Sequence, residues 1–365
     1  MRNKIVTFAF IGMLVIVNLL GLIIPDKTYS DNEKRSLMQY SKLSIKDFRS
    51  GTLGKNLETY LTDQFPARDN WITIKTLTEK SMGKKESNGV YFGKDGYLID
   101  KFTSYNSELL KKNVAALKKF QDAQNIPVSV MLVPDKAEIL KNKLPAYAPG
   151  LSQRELLNYI ESNDINMTDV YDILSDHSDE YIYYRTDHHY TSLGAYYCYS
   201  AWMKNKGLVP DTISDWNKEV LCDNFYGTTY AKINYPFVKS DEITAYYKTL
   251  NHTVNYNGGQ YITDSIYERK YLEGKNQYAV FFNSNQATTV VNGSGKGKLL
   301  IIKDSYANTF AQFTVDDYEE THMIDLRFYS KSINDYIKDN GITEVLVLYE
   351  LTNFVGDNNI TKLVF

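Results

Sequence analysis

Apolar runs of strand length alternate with helical periods through much of the chain. The apolar runs predict buried strands, and apolar positions spaced three and four residues apart predict amphipathic helices. The predicted helices cover residues 107–124, 152–161 and 333–340, and the predicted strands cover residues 126–133, 299–302 and 343–349. Because helices and strands alternate, the sequence predicts an α/β fold with a mostly parallel sheet covered by helices.

Polar residues follow three of these predicted strands. The segments are Val133-Pro-Asp-Lys136, Asp304-Ser305 and Tyr349-Glu-Leu-Thr-Asn353. In open α/β sheets ligands bind beyond the carboxyl ends of the strands. We therefore expect these three loops to converge on one crevice.

Three segments of different composition divide the chain. Residues 1–25 are predicted to be an N-terminal transmembrane anchor, residues 26–87 a helical stalk or docking segment, and residues 88–365 a catalytic domain. The catalytic domain opens with a predicted hairpin, in which a Gly-Lys-Asp-Gly turn joins two short strands between Asn88 and Ile99. Residues from about 208 to 278 are rich in Tyr, Asn, Thr and Gly. They are predicted to form an insertion of strands and loops, which is either one wall of a substrate groove or a solvated decoration.

The first apolar run extends from Ile5 to Ile24, a length that matches the ~20 residues needed to cross a bilayer. Arg2 and Lys4 precede it and predict that this end stays in the cytoplasm, while everything after Pro25 is exported. A cleaved signal peptide is the alternative, but the run is long for such a peptide and no small-residue cleavage site follows. We expect a single-pass protein of the cell membrane whose catalytic domain lies outside the cytoplasmic membrane.

A short polar segment carries two of the five histidines of the chain. His188 and His189 follow Asp187 directly, just before a predicted helix that starts at Ser192. In an extended segment alternate side chains share a face, so Asp187 and His189 are predicted to lie together while His188 points into neighbouring structure. Asp, His and the nearby Cys198 are also residue types that bind zinc. Since adjacent histidines of a strand face opposite ways, no metal site is expected.

Ser305 is the candidate nucleophile. It stands where an apolar strand passes into a helix, so that N–H groups of the first helical turn lie nearby. A serine attacks a carbonyl when a histidine takes its proton and a carboxylate orients that histidine. The sequence therefore predicts a catalytic triad of Asp187, His189 and Ser305, with the Ser305 N–H as part of an oxyanion hole. Asn308 is the side chain best spaced to add a second donor, a place on the helix surface being its alternative role. This chemistry needs no cofactor.

Three separated motifs carry a resemblance to a known family. They read RTDHHYTSLGAYYCYSAW from Arg185, KDSYAN from Lys303 and MIDLRFY from Met323. They resemble the bacterial DHHW family, which is related to AlgX/AlgJ-type polysaccharide O-acetyltransferases with an SGNH-hydrolase-like, flavodoxin-like fold. The resemblance extends over residues 88–365, and the Asp-x-His motif precedes the serine, the reverse of the order in ordinary SGNH hydrolases. Tyr190 takes the place of the family's tryptophan.

The resemblance implies an activity and partners. It favours transfer of acetyl groups to an extracellular or cell-wall polysaccharide, with a separate membrane protein as the acetyl donor. Arg185, Tyr190 and Arg327 become candidates for substrate contact, together with Asn308. Two alternatives are a carbohydrate acetyl esterase, which would pass the acyl group to water, and a non-catalytic carbohydrate-binding or export scaffold.

Composition adds two further constraints. With 41 basic and 44 acidic residues, a net charge of −3 gives no polybasic signature, so nucleic acid is not an expected partner. The 31 tyrosines suit the binding of sugar rings, although a compositional bias explains them equally well. Cys198 and Cys222 are the only cysteines, and the sequence does not decide whether they pair.

Overall fold

The computed structural model describes residues 2–30, 35–40 and 45–364. Two units can be distinguished. One comprises Met1–Asn88 and Tyr230–Phe237, and the other comprises Gly89–Thr229 and Val238–Phe365.

The first unit is mainly helical within its described residues. Its elements are helix α1 (Arg2–Ile23), strands β1 (Tyr29–Ser30) and β2 (Arg35–Ser36), helices α2 (Ile45–Ser50), α3 (Leu53–Asp63) and α4 (Arg68–Ser81), and strand β3 (Glu86–Ser87). The buried carboxylate of Asp63, at the end of α3, accepts hydrogen bonds from the Arg35 side chain at 3.0 Å and from the Met38 N–H at 2.8 Å. These bonds tie β2 and the residues after it to α3.

Helix α1 contains an apolar window from Lys4 to Gly21 with a mean hydropathy of 2.1. Among the described residues it is the single helix long and apolar enough to cross a membrane. Length and composition fit a membrane anchor, and a signal sequence has the same properties.

The second unit is built around a seven-stranded sheet. From residue 90 onward the strands are β4 (Val90–Phe92), β5 (Leu98–Asp100), β6 (Val128–Val133), β7 (Asn217–Phe225), β8 (Asp241–Tyr247), β9 (Val254–Tyr256), β10 (Tyr261–Thr263), β11 (Thr288–Asn292), β12 (Lys298–Lys303), β13 (Glu320–Asp325) and β14 (Glu344–Glu350). The helices are α5 (Ser107–Ala123), α6 (Lys136–Ile139), α7 (Gln153–Glu161), α8 (Tyr171–Asp176), α9 (Ser192–Asn205), α11 (Tyr306–Ala311), α12 (Ile333–Asn340) and α13 (Leu351–Gly356). Helix α10 (Thr228–Ile233) begins in this unit, and from Tyr230 onward its residues belong to the first unit.

The large sheet is mixed, with strand order β10-β9-β11-β13-β12-β14-β6. Strands β13, β12, β14 and β6 are parallel to one another, whereas β11 joins β13 antiparallel and β9 and β10 continue antiparallel. The prediction of a mostly parallel sheet is therefore wrong for the part of the sheet formed by β11, β9 and β10. Part of the predicted insertion at about 208–278 belongs to the main sheet, because β9 and β10 form a hairpin that extends it.

Alternate residues of the central strands face two separate apolar cores. On β12, Leu299 and Ile301 join one core, to which α9 and α11 contribute, while Leu300 and Ile302 join the other, to which α5, α7, α12 and α13 contribute. Strands with apolar residues on both faces produce the continuous apolar runs seen in the sequence. The sheet is thus covered by helices on both sides, as predicted.

Several local predictions are confirmed. Strands β4 and β5 pair antiparallel around residues 94–96, as the hairpin prediction required. Helix α12 has the predicted bounds because Ser332 caps its first turn and Gly341, at φ 64°, ends it in the left-handed conformation. Asn106 caps α5 in the same way, accepting bonds from the Glu108 and Leu109 N–H groups.

Candidate active site

Ser305 lies at the carboxyl end of the central strand β12, directly before α11. The buried Asp304 side chain fixes this turn. Its carboxylate accepts bonds from the N–H of Tyr306 at 2.9 Å, the N–H of Glu350 at 3.0 Å and the Asn353 amide at 2.9 Å. Glu350 is the last residue of β14 and Asn353 follows it, so Asp304 joins the ends of two adjacent parallel strands and holds Ser305 at the sheet's edge. Burial raises the pKa of the Asp304 carboxyl.

The structure brings Asp187, His189 and Ser305 together. His189 Nε2 lies 2.8 Å from Ser305 Oγ, and His189 Nδ1 is hydrogen-bonded to Asp187 Oδ1. The other oxygen, Asp187 Oδ2, accepts bonds from the Thr228 N–H at 2.7 Å and the Thr228 hydroxyl at 3.0 Å. Asp187 and His189 are buried, and Ser305 is half-buried. The Ser305 hydroxyl is therefore the part of this hydrogen-bonded series that a substrate can reach.

The charge of Asp187 is stabilised in this setting. Burial alone would raise the pKa of its carboxyl, but the adjacent imidazoles of His189 and His188 and the N–H of Thr228 hold it well below its usual value. An ionised carboxylate on Nδ1 favours the tautomer in which Nε2 is free to accept the Ser305 proton.

A buried lysine holds the loop that carries Asp187. Lys136 Nζ, in the first turn after β6, donates to the carbonyl of Asp187 at 2.6 Å and to that of Tyr184 at 3.2 Å. On the other side the buried Asp241 carboxylate accepts the Arg185 N–H at 2.8 Å and the Thr186 N–H at 2.7 Å. The loop backbone is thus fixed by one buried lysine and one buried aspartate. Lys136 belongs to one of the three loops expected to converge on the site.

Close packing also restrains Asp187. A Cβ placed on Gly227 would lie 2.2 Å from both Cβ and Oδ2 of Asp187. A side chain at position 227 therefore does not fit. Because this position is a glycine, the backbone comes close to Asp187 and the N–H of Thr228 reaches the carboxylate.

The expectation that His188 points away from His189 is wrong. The two imidazole centroids lie 3.8 Å apart at an interplanar angle of 37°, and His188 Nδ1 is 2.6 Å from the Thr228 hydroxyl. The segment is a tight loop rather than a strand, since the Tyr184 N–H bonds the carbonyl of His189 at 3.2 Å. Successive side chains therefore need not alternate.

This loop geometry bears on the metal alternative. Potential ligand atoms of Asp187, His188 and His189 lie within 4.8 Å of one another, so by distance they could hold an ion. Both Asp187 oxygens, however, already accept hydrogen bonds from His189 or Thr228. An ion would have to displace those donors.

Tyrosines surround the histidine, and the sequence did not indicate this role for them. The Tyr278 ring stacks on His189 with centroids 3.8 Å apart and an angle of 14°. The Tyr306 hydroxyl donates to the carbonyl of His188 at 2.6 Å, and the Tyr190 hydroxyl donates to the carbonyl of Tyr306 at 2.8 Å. Tyr190 is fully buried, so the candidate substrate contact is replaced by a packing role.

The remaining candidates contact groups other than the Ser305 hydroxyl. Asn308 is buried rather than on a helix surface, and its amide nitrogen is 3.3 Å from Asn285 Oδ1. The Arg185 guanidinium lies 4.5 Å from the centre of the Tyr181 ring. Arg327 forms bonds of 2.9 and 2.5 Å with the Asp325 carboxylate.

Both cysteines are free thiols. Cys198 is buried in α9 and Cys222 is half-buried in β7. Burial raises the pKa of both thiols, most strongly that of Cys198.

Fold and site together define an α/β protein in which an aspartate, a histidine and a serine form a hydrogen-bonded triad at the edge of the sheet. The chain belongs to the DHHW family, whose model, described as DHHW protein, matches residues 126–324.

Solved structures extend this comparison. A DHHW family protein from Eubacterium siraeum is 27% identical, with a TM-score of 0.66 over 76% of this chain and 95% of that one. PatB1 from Bacillus cereus, solved with a sulfonyl adduct, is 21% identical, with a TM-score of 0.62 over 74% of this chain and 96% of that one. The O-acetyltransferase domain of Pseudomonas putida AlgJ is more distant, with 13% identity and a TM-score of 0.48 over 75% and 98% of the two chains. No curated protein matches the chain. The likeness to PatB1 concerns the fold alone.

Proposed function

We propose that this protein is a serine-dependent O-acyltransferase that acetylates an extracellular or cell-wall polysaccharide. The observation that carries the proposal is the hydrogen-bonded chain from Asp187 through His189 to Ser305, with 2.8 Å between His189 Nε2 and Ser305 Oγ. This distance lies within the range over which a general base accepts a proton from a nucleophile. Membership of the DHHW family is consistent with it.

In the first half-reaction Ser305 Oγ attacks the carbonyl carbon of an acetyl donor. His189 Nε2 takes the hydroxyl proton, and Asp187 stabilises the imidazolium that forms. The tetrahedral intermediate then loses the donor's leaving group, which receives the proton from His189. An acetyl ester remains on Ser305.

In the second half-reaction a sugar hydroxyl replaces the donor. His189 takes its proton, the new alkoxide attacks the acetyl-serine carbonyl, and collapse of the intermediate returns the proton to Ser305 Oγ. The product is an O-acetyl sugar. Water in place of the sugar would give hydrolysis, so the acceptor that is bound decides between transferase and esterase.

The oxyanion is proposed to bind the backbone N–H of Ser305. Within the described residues this N–H takes part in no other hydrogen bond. Removing one donor from such a hole typically costs ~10²–10³ in rate. A second donor from Asn308 would require its amide to turn away from Asn285. Arg185 and Arg327 remain proposed substrate contacts, the latter exposing 39% of its side chain.

The order of the site residues supports a permuted SGNH-hydrolase-like fold as part of the proposal. His189 precedes Ser305 by 116 residues, whereas ordinary members of that class place the serine first. The proposal further assigns helix α1 as an uncleaved anchor, with the remainder outside the cytoplasmic membrane and a membrane-bound protein as acetyl donor. Its support is the apolar window Lys4–Gly21 behind Arg2.

The experiment combines turnover with covalent labelling. Full-length protein in detergent is incubated with nitrophenyl acetate, and a peptide map locates the acetyl group by mass spectrometry. We expect acetyl on Ser305, and we expect Ser305→Ala to lose both the label and turnover. The matched control is Ser330→Ala, because Ser330 is an exposed serine outside the site. Unchanged turnover in Ser305→Ala would remove the serine from the mechanism.

A second arm separates the alternatives. Adding an oligosaccharide acceptor should divert acetyl from water to the sugar, and the acetylated sugar is measured by mass spectrometry. Acetate alone, with every acceptor tried, would favour an esterase. Absence of any Ser305 label would favour a non-catalytic scaffold.

A further inference from the structure

We propose that Tyr278 is a positioning residue, which holds His189 against Ser305 and favours the protonated imidazole during the reaction. The inference rests on the proposed function. Tyr278 lies in a short 3-10 helix at residues 277–280, outside the three loops that the sequence placed at the site.

The first argument is the position of the ring. The Tyr278 and His189 rings are nearly parallel, with centroids 3.8 Å apart and an angle of 14°. Both rings are buried. Aromatic faces at this distance leave no space for the imidazole to tilt towards Tyr278, so the face contact limits rotation of the histidine side chain.

The second argument is the position of the hydroxyl. Tyr278 Oη donates to the carbonyl of Ser305 at 3.0 Å and lies 2.6 Å from the Thr309 hydroxyl. The same side chain therefore touches the base with its ring and the nucleophile's backbone with its hydroxyl. One rigid side chain, with two rotatable bonds before the hydroxyl, sets the separation between His189 and Ser305.

The third argument is electrostatic. The face of an aromatic ring attracts a cation, and the attraction grows where water is excluded. His189 becomes cationic when it takes the Ser305 proton, so the stacked ring stabilises that state more than the neutral one. The other titratable groups around His189 are Asp187 and His188 on its own loop and Tyr306 on α11, whose ring centroid is 5.2 Å away.

The alternative is a tyrosine that only fills the core, and a matched residue separates the two roles. Tyr256 in β9 is also fully buried, and its ring stacks on that of Tyr261 in the neighbouring strand, with centroids 5.6 Å apart, rather than on His189. Replacing either tyrosine by leucine removes a buried ring and costs stability. If Tyr278 positions His189, only the replacement of Tyr278 should change the reaction.

The experiment measures kcat, KM and the pH profile of nitrophenyl acetate turnover by the full-length protein in detergent. We expect Tyr278→Leu to lower kcat about 10- to 100-fold with little change in KM, as a small misplacement of a catalytic group does. The acid limb of the kcat/KM profile should move to lower pH, because the protonated imidazole loses its aromatic partner. Tyr278→Phe keeps the stacked face, so its acid limb should stay in place. Tyr256→Leu should leave both kcat and the profile unchanged.

The outcomes distinguish this inference from the proposal on which it rests. If Ser305→Ala is inactive while folded Tyr278→Leu has the wild-type kcat and profile, only the positioning role is overturned. If Ser305→Ala remains active, the proposed function fails and the positioning role fails with it. Should Tyr278→Leu not fold, Tyr278→Met has a flexible side chain that adapts to the cavity, removes the same aromatic face and is judged by the same criteria.

Discussion

Replacing Gly227 by alanine should damage the site through space alone. The added Cβ would lie 2.2 Å from Asp187 Oδ2 and 2.5 Å from its Cγ, whereas carbon atoms in good contact are about 3.5–4.0 Å apart. Either the carboxylate or the backbone at Gly227 must therefore move by roughly 1 Å. The backbone cannot retreat freely, because the next N–H, that of Thr228, donates to the same oxygen at 2.7 Å.

Both the free energy of unfolding and the turnover rate should fall in Gly227→Ala. Forcing an extra methyl group into a packed site typically costs about 1–3 kcal/mol, and a displacement of 1 Å in a catalytic constellation can lower the rate by ~10²-fold. We expect Gly227→Ala to show both effects. Urea unfolding measures the first, and initial rates with nitrophenyl acetate measure the second.

Gly356→Ala is the matched control. An added Cβ there meets nothing within 4 Å, so the free energy of unfolding should change by less than about 0.5 kcal/mol and turnover should not change. If Gly227→Ala kept wild-type turnover while remaining folded, the placement of Asp187 would not limit the reaction. A loss of stability without a loss of rate would contradict the reasoning in the same way.

Three further outcomes are expected. His189→Ala should lose about 10²–10⁴-fold in initial rate, whereas His188→Gln should keep substantial activity; the reverse ranking, with both variants folded by thermal unfolding, would make His188 the base. Lys136→Met should lower the free energy of unfolding by about 1–3 kcal/mol, because the buried carbonyls of Tyr184 and Asp187 lose their hydrogen-bond donor, and a wild-type urea midpoint would refute that role. Dialysis against EDTA should leave turnover unchanged, since the Asp187 oxygens accept hydrogen bonds; a loss that zinc restores would establish a metal site.

The parallel half of the sheet was predictable because of its burial. Strands β6, β12 and β14 have apolar residues on both faces, and such strands appear in a sequence as continuous apolar runs. Strands β9 and β10 have three residues each and lie among polar residues. Nothing in so short a segment distinguishes a sheet strand from a loop, so its place in the main sheet comes from pairing with β11.

The residues of the site also fall into two groups, those that the sequence indicates and those that only the structure reveals. Asp187, His189 and Ser305 stand out by residue type and by their place next to predicted elements, and the structure brings them together. Gly227 and Tyr278 have no such local signal, because what matters is the atom each meets across a large separation in sequence. The prediction of the His188 orientation failed for another reason. The alternation of side chains holds for strands, and this segment is a tight loop.

The strand order of the large sheet has a consequence for synthesis. Strand β6 comes first among the seven along the chain, yet it pairs with β14, which comes last. Asp304 likewise fixes the Ser305 turn through the Glu350 N–H and the Asn353 amide. A ribosome must therefore complete the segment from residue 344 onward before β6 finds its neighbour or the nucleophile acquires its geometry. Pairing over such a separation is slow, and translation products that end before β14 should be inert even though they contain Asp187, His189 and Ser305.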